Sequence, residues 1–190
     1  MHLTMLNDPN LFLKLFTGKL DVHKPDDRST WGWAIFYQND DVWKAHSKTA
    51  VQAVPFILSL FERAPWDLAK KLNTGYKAWE FQQYIYSLGP MLFQHLLPCK
   101  YWLNFCKLIT GVSILQQCAI AYHDLLQGHA LLLDFACKFE ELYYQCMESC
   151  IHFVQHSIHL LTHMGPETFQ IGPLACYMQW TLETAIGNLS

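Results

Sequence analysis

From Tyr101 to about His163 hardly a residue breaks a helix: no proline occurs, and only Gly111 and Gly128 interrupt the pattern. In LLLDFACKFEELYYQCM, Leu132, Phe135, Phe139 and Leu142 recur at helical spacing, and the stretch as a whole predicts three long helices. β-branched residues are sparse and period-two alternation is absent, so no strand is predicted anywhere in the chain. The fold class that follows is all-α, an array of about seven to nine helices.

The remaining segments fit that class. Leu11 to Leu20 reads as a short helix, with Asp8-Pro9 as N-cap and first-turn proline and Gly18 as the stop. Asp21 to Asp41 is the least regular part, with turn-rich KPDDRST and QNDD around a Trp31-Gly32-Trp33 centre expected to anchor the loop on the core. Asp26-Asp27 and Asp40-Asp41 read as solvated turn residues. Val42 to Leu60 has a helical pattern that Pro55 must kink or split. Ala64-Pro65 and Gly89-Pro90 punctuate the chain, and no repeat or linker divides it, so residues 1–190 read as one unit.

A chain of 190 residues is long enough to bury a substantial core. Its composition is 52% hydrophobic and only 15% charged, against about 25% charged in an ordinary globular domain, which predicts either exposed apolar surface or missing neighbours that would cover it. No apolar run reaches the roughly 20 residues of a membrane crossing, and no secretory pattern opens the chain, so an intracellular protein without membrane contact is expected. Seven cysteines, an odd number with no C-x-x-C pair, read as reduced thiols. From Tyr101 onward two lysines face seven acids with no arginine, which predicts weak or no DNA binding by the chain alone.

Several clusters bear on chemistry. His152, His156, His159 and His163 follow spacings of four, three and four, which would place them along one helix face. Two histidines one turn apart can share a transition metal; the bland alternative is that they line a helix seam or cap polar contacts. Cys146, Cys150 and His152 invite a nucleophile-and-base reading, although little nearby would lower a thiol pKa and Glu148 would raise it. Trp79, Tyr84, Tyr101 and Trp102 would stack bases if exposed, but aromatics at helical spacing are usually core. Glu183 stands alone in an apolar, aromatic segment behind two Gly-Pro breaks, where an unpaired carboxylate is costly unless it has work to do.

The motifs MHLT, TWGWA, DVWKAHSK, NTGYKAWEF, LGP, KYWLNFCKLITG, FEELYYQ, IHFVQHSIHLLTH, GPLACYMQWTLE and IGNL, in that order, resemble the C-terminal half of CACTA-type (En/Spm-like) transposases of the kind found in mushroom-forming fungi. The resemblance runs from Met1 to Ser190. It implies a ribonuclease H-like enzyme in which three acids hold two Mg or Mn ions for DNA cutting and joining, with a helical insertion between the second and third acid. Residues 1–41 would then be a short helix and Trp-anchored loop, 42–163 the helical insertion, and 164–190 a Gly-Pro loop and third-acid helix, without the catalytic sheet.

On this resemblance Glu183 matches the third acid, and His2 is the remnant of an Asp-x-Met-His motif whose aspartate is missing here. His159 and His163 would lie near the active site of an intact relative. Two ions about 3.5–4 Å apart need several converging carboxylates, so Glu183 alone should not hold them, and the chain is expected to need no cofactor and to have no activity. The chain departs from the pattern at YYQCMESC, where relatives carry arginines after the tyrosines, and at His156. The expected role is that of a truncated, transposon-derived fragment, nuclear if functional, whose partners would be full-length transposase or a second copy. The competing expectation is a host helical interaction module with no tie to DNA chemistry.

Overall fold

The computed structural model describes residues 3–53, 78–153 and 155–176. Among them are eight α-helices and no strand: α1 (Asp8–Phe16), α2 (Asp40–Ala53), α3 (Ala78–Gln82), α4 (Gly89–Phe93), α5 (Cys99–Leu115), α6 (Tyr122–Phe139), α7 (His156–Leu161) and α8 (Met164–Ile171). Wider π turns at Leu3–Asn7, Gln83–Leu88 and Glu140–Tyr144 and 3-10 turns at Arg28–Thr30, Glu148–Phe153 and Leu174–Cys176 join them. No described helix is long and apolar enough to cross a membrane. All seven cysteines are free thiols.

The pairing of α5 with α6 is the frame. Tyr101, Phe105, Leu108, Val112 and Leu115 make the buried face of α5, and Gly128, Leu132, Phe135 and Phe139 that of α6. The two glycines that read as interruptions are instead the contact. A Cβ on Gly111 would stand 2.8 Å from Leu132 Cδ2 and 3.1 Å from the Gly128 carbonyl oxygen, so only glycine lets the backbones approach this closely.

Helix α1 lies across this pair and is apolar nearly all round, with Leu11, Phe12, Leu13, Leu15 and Phe16 buried. Phe12 meets Phe105 at 5.5 Å between ring centroids, and Phe16 meets Phe93 at 4.9 Å. Each such ring, fully withdrawn from water, contributes about 1.5–3 kcal/mol. Pro9 sits in the first turn as expected and Gly18 ends the segment at φ +64°, but Asp8 is no cap: it is the first helical residue and fully buried. Helix α2 begins at Asp40, two residues before the expected start, because Asp40 and Asp41 suit the positive end of a helix. Pro55 and Ala64-Pro65 lie outside the described residues.

Three expectations change. Gly89-Pro90 does not break the chain: α3, the π turn Gln83–Leu88 and α4 follow one another directly. Pro90 stands in the first turn of α4, the place in a helix where a missing amide proton is tolerated, and the π turn before it leads straight into that helix. The stretch from Tyr101 to His163 holds two long helices, not three. After Phe139 it breaks up, with Gln145 and Cys146 at φ 56° and 53°, because Tyr143 and Phe153 are drawn into an aromatic cluster that a continued helix would not let both reach. Asp26, finally, is not solvated; its side chain is 8% exposed, whereas Asp27, Asp40 and Asp41 are exposed.

The Trp31-Gly32-Trp33 centre does anchor its loop. Trp33 packs on Tyr101 (5.7 Å), Tyr143 (5.0 Å) and Phe153 (5.4 Å), and Trp31 on Phe153 (4.9 Å).

Candidate functional site: the histidine segment

The four histidines do not share one helix face. His152 belongs to the 3-10 turn Glu148–Phe153, and Gln155, in extended conformation at φ −104° and ψ 138°, separates it from α7, where His156 and His159 lie. His152 turns inward. Its Nε2 stands 3.4 Å from Asp26 Oδ2, and its ring packs against His23 (5.1 Å) and Phe153 (4.2 Å). The Asp26 carboxylate accepts the Trp31 indole N–H at 3.0 Å on each oxygen and the Asp27 backbone N–H at 2.9 Å. A buried carboxylate is tolerable only when donors surround it in this way. His152 and Asp26 thus tie the tryptophan loop to the segment that leads into α7.

His156, His159 and His163 face outward. The Nε2 atoms of His159 and His163 are 3.2 Å apart, while His156 stands off, its ring centroid 6.4 Å from that of His159. His159 lines a cleft of about 260 Å³ whose walls include Phe139, Glu140, Tyr144, Ile158 and Thr162. A second cleft, of about 310 Å³, lies between α1 and α7 and is lined by Asn10, Lys14, Leu20, His156 and Ser157.

No protein-family model, curated protein or solved structure matches this chain.

The other candidates divide. Cys150 is buried with its Sγ 3.8 Å from Ser149 Oγ, and Cys146 is exposed; no described hydrogen bond joins either thiol to His152, so the nucleophile-and-base arrangement is not assembled. Tyr84 and Tyr101 are core residues, and the half-buried Trp102 donates its indole N–H to the Pro90 carbonyl, so these rings offer no open stacking platform. The side chain of Trp79 lies outside the described residues, as do His2 and Glu183. Among the described residues no group of three or more His, Cys, Asp or Glu side chains is placed to hold a metal ion.

The buried acid Asp8 also escaped the sequence reading. Asp8 is fully buried, no hydrogen bond of good geometry reaches either carboxylate oxygen, and burial pushes its pKa up to about 7, a weak approach of the Ser157 hydroxyl partly opposing the rise. The buried Tyr86 hydroxyl, also without a partner, feels the Asp8 charge and is itself held protonated well above the usual tyrosine range, chiefly by burial. Asp8-Pro9 reads locally as a helix start, and the groups that cover it come from remote positions. The one signal was its setting: a lone carboxylate in LTMLNDPNLFLKLF.

Proposed function

We propose that this chain is a transposon-derived helical module, equivalent to the insertion of a CACTA-type transposase, that works by docking to a protein partner and cuts no DNA itself. The observation that carries this reading is the convergence of the motifs behind the resemblance. TWGWA, KYWLNFCKLITG, FEELYYQ and IHFVQHSIHLLTH are scattered between residues 30 and 163, yet Trp33, Tyr101, Tyr143 and Phe153, one from each, meet in a single aromatic cluster. Motifs that build one core belong together as a unit, as the insertion of such an enzyme must.

A docking role is supported by apolar surface between α6 and α8. Tyr122 and Phe169 are 64% and 67% exposed with ring centroids 6.1 Å apart, and Leu126 and Ile171 are also exposed. Exposed large apolar side chains grouped in this way mark protein contacts more often than free surface. In an intact relative Glu183 would be a metal ligand and His2 would lie nearby, with Mg or Mn supplying the chemistry.

The test is a pull-down against an intact CACTA-type transposase, beside light scattering of the chain alone from micromolar concentration upward. Association with the transposase or with itself, weakened by Phe169→Ser, is the expected result. Cleavage or joining of a DNA duplex by the purified chain in Mg or Mn would refute the reading. Binding only to unrelated host proteins would favour a host interaction module, which the same apolar face also suits.

A further inference from the structure

We propose that His159 and His163 form a two-nitrogen clamp for one borderline transition-metal ion, of the Zn, Ni or Cu type, independent of the docking role and of the two-metal chemistry of transposases. Their Nε2 atoms are 3.2 Å apart. A tetrahedral ion bound through nitrogen at about 2.0–2.1 Å holds two ligand nitrogens roughly 3.3 Å from each other, so the pair already has the required bite. The rings stand edge to face, 77° between planes and 4.9 Å between centroids, which makes the nitrogens converge where stacked rings would hold them apart.

A hydrogen bond between two neutral imidazoles is the competing explanation for this approach. Both rings are exposed, however, and there water offers equivalent partners, so such a bond has little to hold it. The backbone between the ligands is fixed by other means. The Thr162 hydroxyl donates to the His159 carbonyl at 2.7 Å, the His163 N–H to the Leu160 carbonyl at 3.1 Å, and the Glu167 N–H to the His163 carbonyl at 3.0 Å. The backbone spacing of the two residues is therefore set before any ion arrives, and only the side-chain rotamers of the two rings remain to be fixed on binding.

Imidazole nitrogen selects borderline ions over Mg and Ca, which prefer oxygen. With two protein ligands the ion keeps open positions for water or for a donor from another molecule. The clamp lies at the cleft formed by Glu140, Tyr144 and Thr162, which His159 lines, so that donor would arrive along the cleft.

The test uses the full, tag-free chain with its exposed thiols blocked by iodoacetamide, because five exposed cysteines would otherwise compete for the metal. Nickel is titrated calorimetrically, with the histidine ring signals followed by NMR. One ion per chain is expected, perturbing His159 and His163 first. Losing one arm of a chelate forfeits its effective-concentration gain, so His159→Gln and His163→Gln should each weaken binding on the order of a hundredfold. Both positions are exposed, and unchanged far-UV circular dichroism would show the fold intact. His95→Gln, at an exposed histidine elsewhere, should leave affinity unchanged. Loss from His156→Gln as large as that from His163→Gln, or no loss from His163→Gln, overturns the clamp.

Discussion

Asp8 and His46 are both buried and ionisable, and they pull stability in opposite directions as pH changes. Asp8 has a pKa of about 7 in the folded chain against 3.8 when exposed, so the folded state keeps a proton that the unfolded state releases. Its contribution to stability is therefore lost as pH rises from about 3.8 to about 7 and is flat beyond. His46, whose Nε2 meets the Tyr84 hydroxyl at 2.5 Å, is lowered by burial from 6.5 to about 4, so the unfolded chain takes up the proton first and stability is lost as pH falls across that range. Each tenfold difference in proton affinity between the folded and unfolded chain corresponds to about 1.4 kcal/mol, and between pH 4 and 6.5 the two slopes largely cancel. Asp8→Asn, which removes a charge without removing shape, should raise stability at pH 8 by a few kcal/mol, on the order of the proton-affinity difference it abolishes. Its urea midpoint should climb steadily from pH 4 to 6.5; a climb no steeper than that of the parent chain would mean that Asp8 is charged in the folded state. His46→Gln should show the reverse, a midpoint that only falls as pH rises. Neither group was legible as buried, because what covers them is remote: Tyr84 lies far along the chain from His46, and Ser157 farther still from Asp8.

The long helices α5 and α6 were readable because their apolar residues keep a period that needs nothing beyond the helix itself. Gly111 and Gly128 were misread, since a glycine that interrupts a helix and one that admits a neighbouring helix look the same in one dimension. The geometry separates them. Gly111→Ala gains about 1 kcal/mol of intrinsic helix propensity. The new methyl, though, meets Leu132 Cδ2 at 2.8 Å and the Gly128 carbonyl at 3.1 Å, and backbone cannot swing aside as a side chain can. Overpacking of this kind costs about 1–3 kcal/mol, so a net loss is expected. In a thermal melt, Gly111→Ala should unfold several degrees below the parent chain, whereas Lys138→Ala on the exposed side of α6, where only a surface pair with Glu141 is lost, should melt with the parent chain. A stabilised Gly111→Ala would show that the two helices are not in contact here. The break-up of the chain after Phe139 was illegible for the opposite reason: Tyr143 and Phe153 obey the aromatic cluster, not the local period.

At the scale of the whole molecule, Trp33 is where separate parts of the chain become one. It joins the loop between α1 and α2 to α5 through Tyr101, to the π turn after α6 through Tyr143, and to the approach to α7 through Phe153. The sequence marked Trp31 and Trp33 as anchors, and it marked the histidines. It did not show that His152 serves that anchoring through Asp26 while His159 and His163 face solvent, because the separation depends on one extended residue, Gln155, in a stretch whose spacing reads as unbroken helix. Trp33→Leu leaves an apolar side chain but removes four ring contacts, with Trp31, Tyr101, Tyr143 and Phe153, and opens space in a packed core; truncation of a buried aromatic to alanine costs about 3–5 kcal/mol, and leucine, which refills part of the space, should cost less than that. Because the loop, α5 and the histidine segment share that ring, the loss should lower the denaturant midpoint of the entire chain. Tryptophan fluorescence and far-UV circular dichroism should still report one coincident transition, as expected when a domain unfolds as a unit. If fluorescence moves and the helical signal does not, the tryptophan loop is an appendage, and the His152–Asp26 contact holds it without helping to hold the fold.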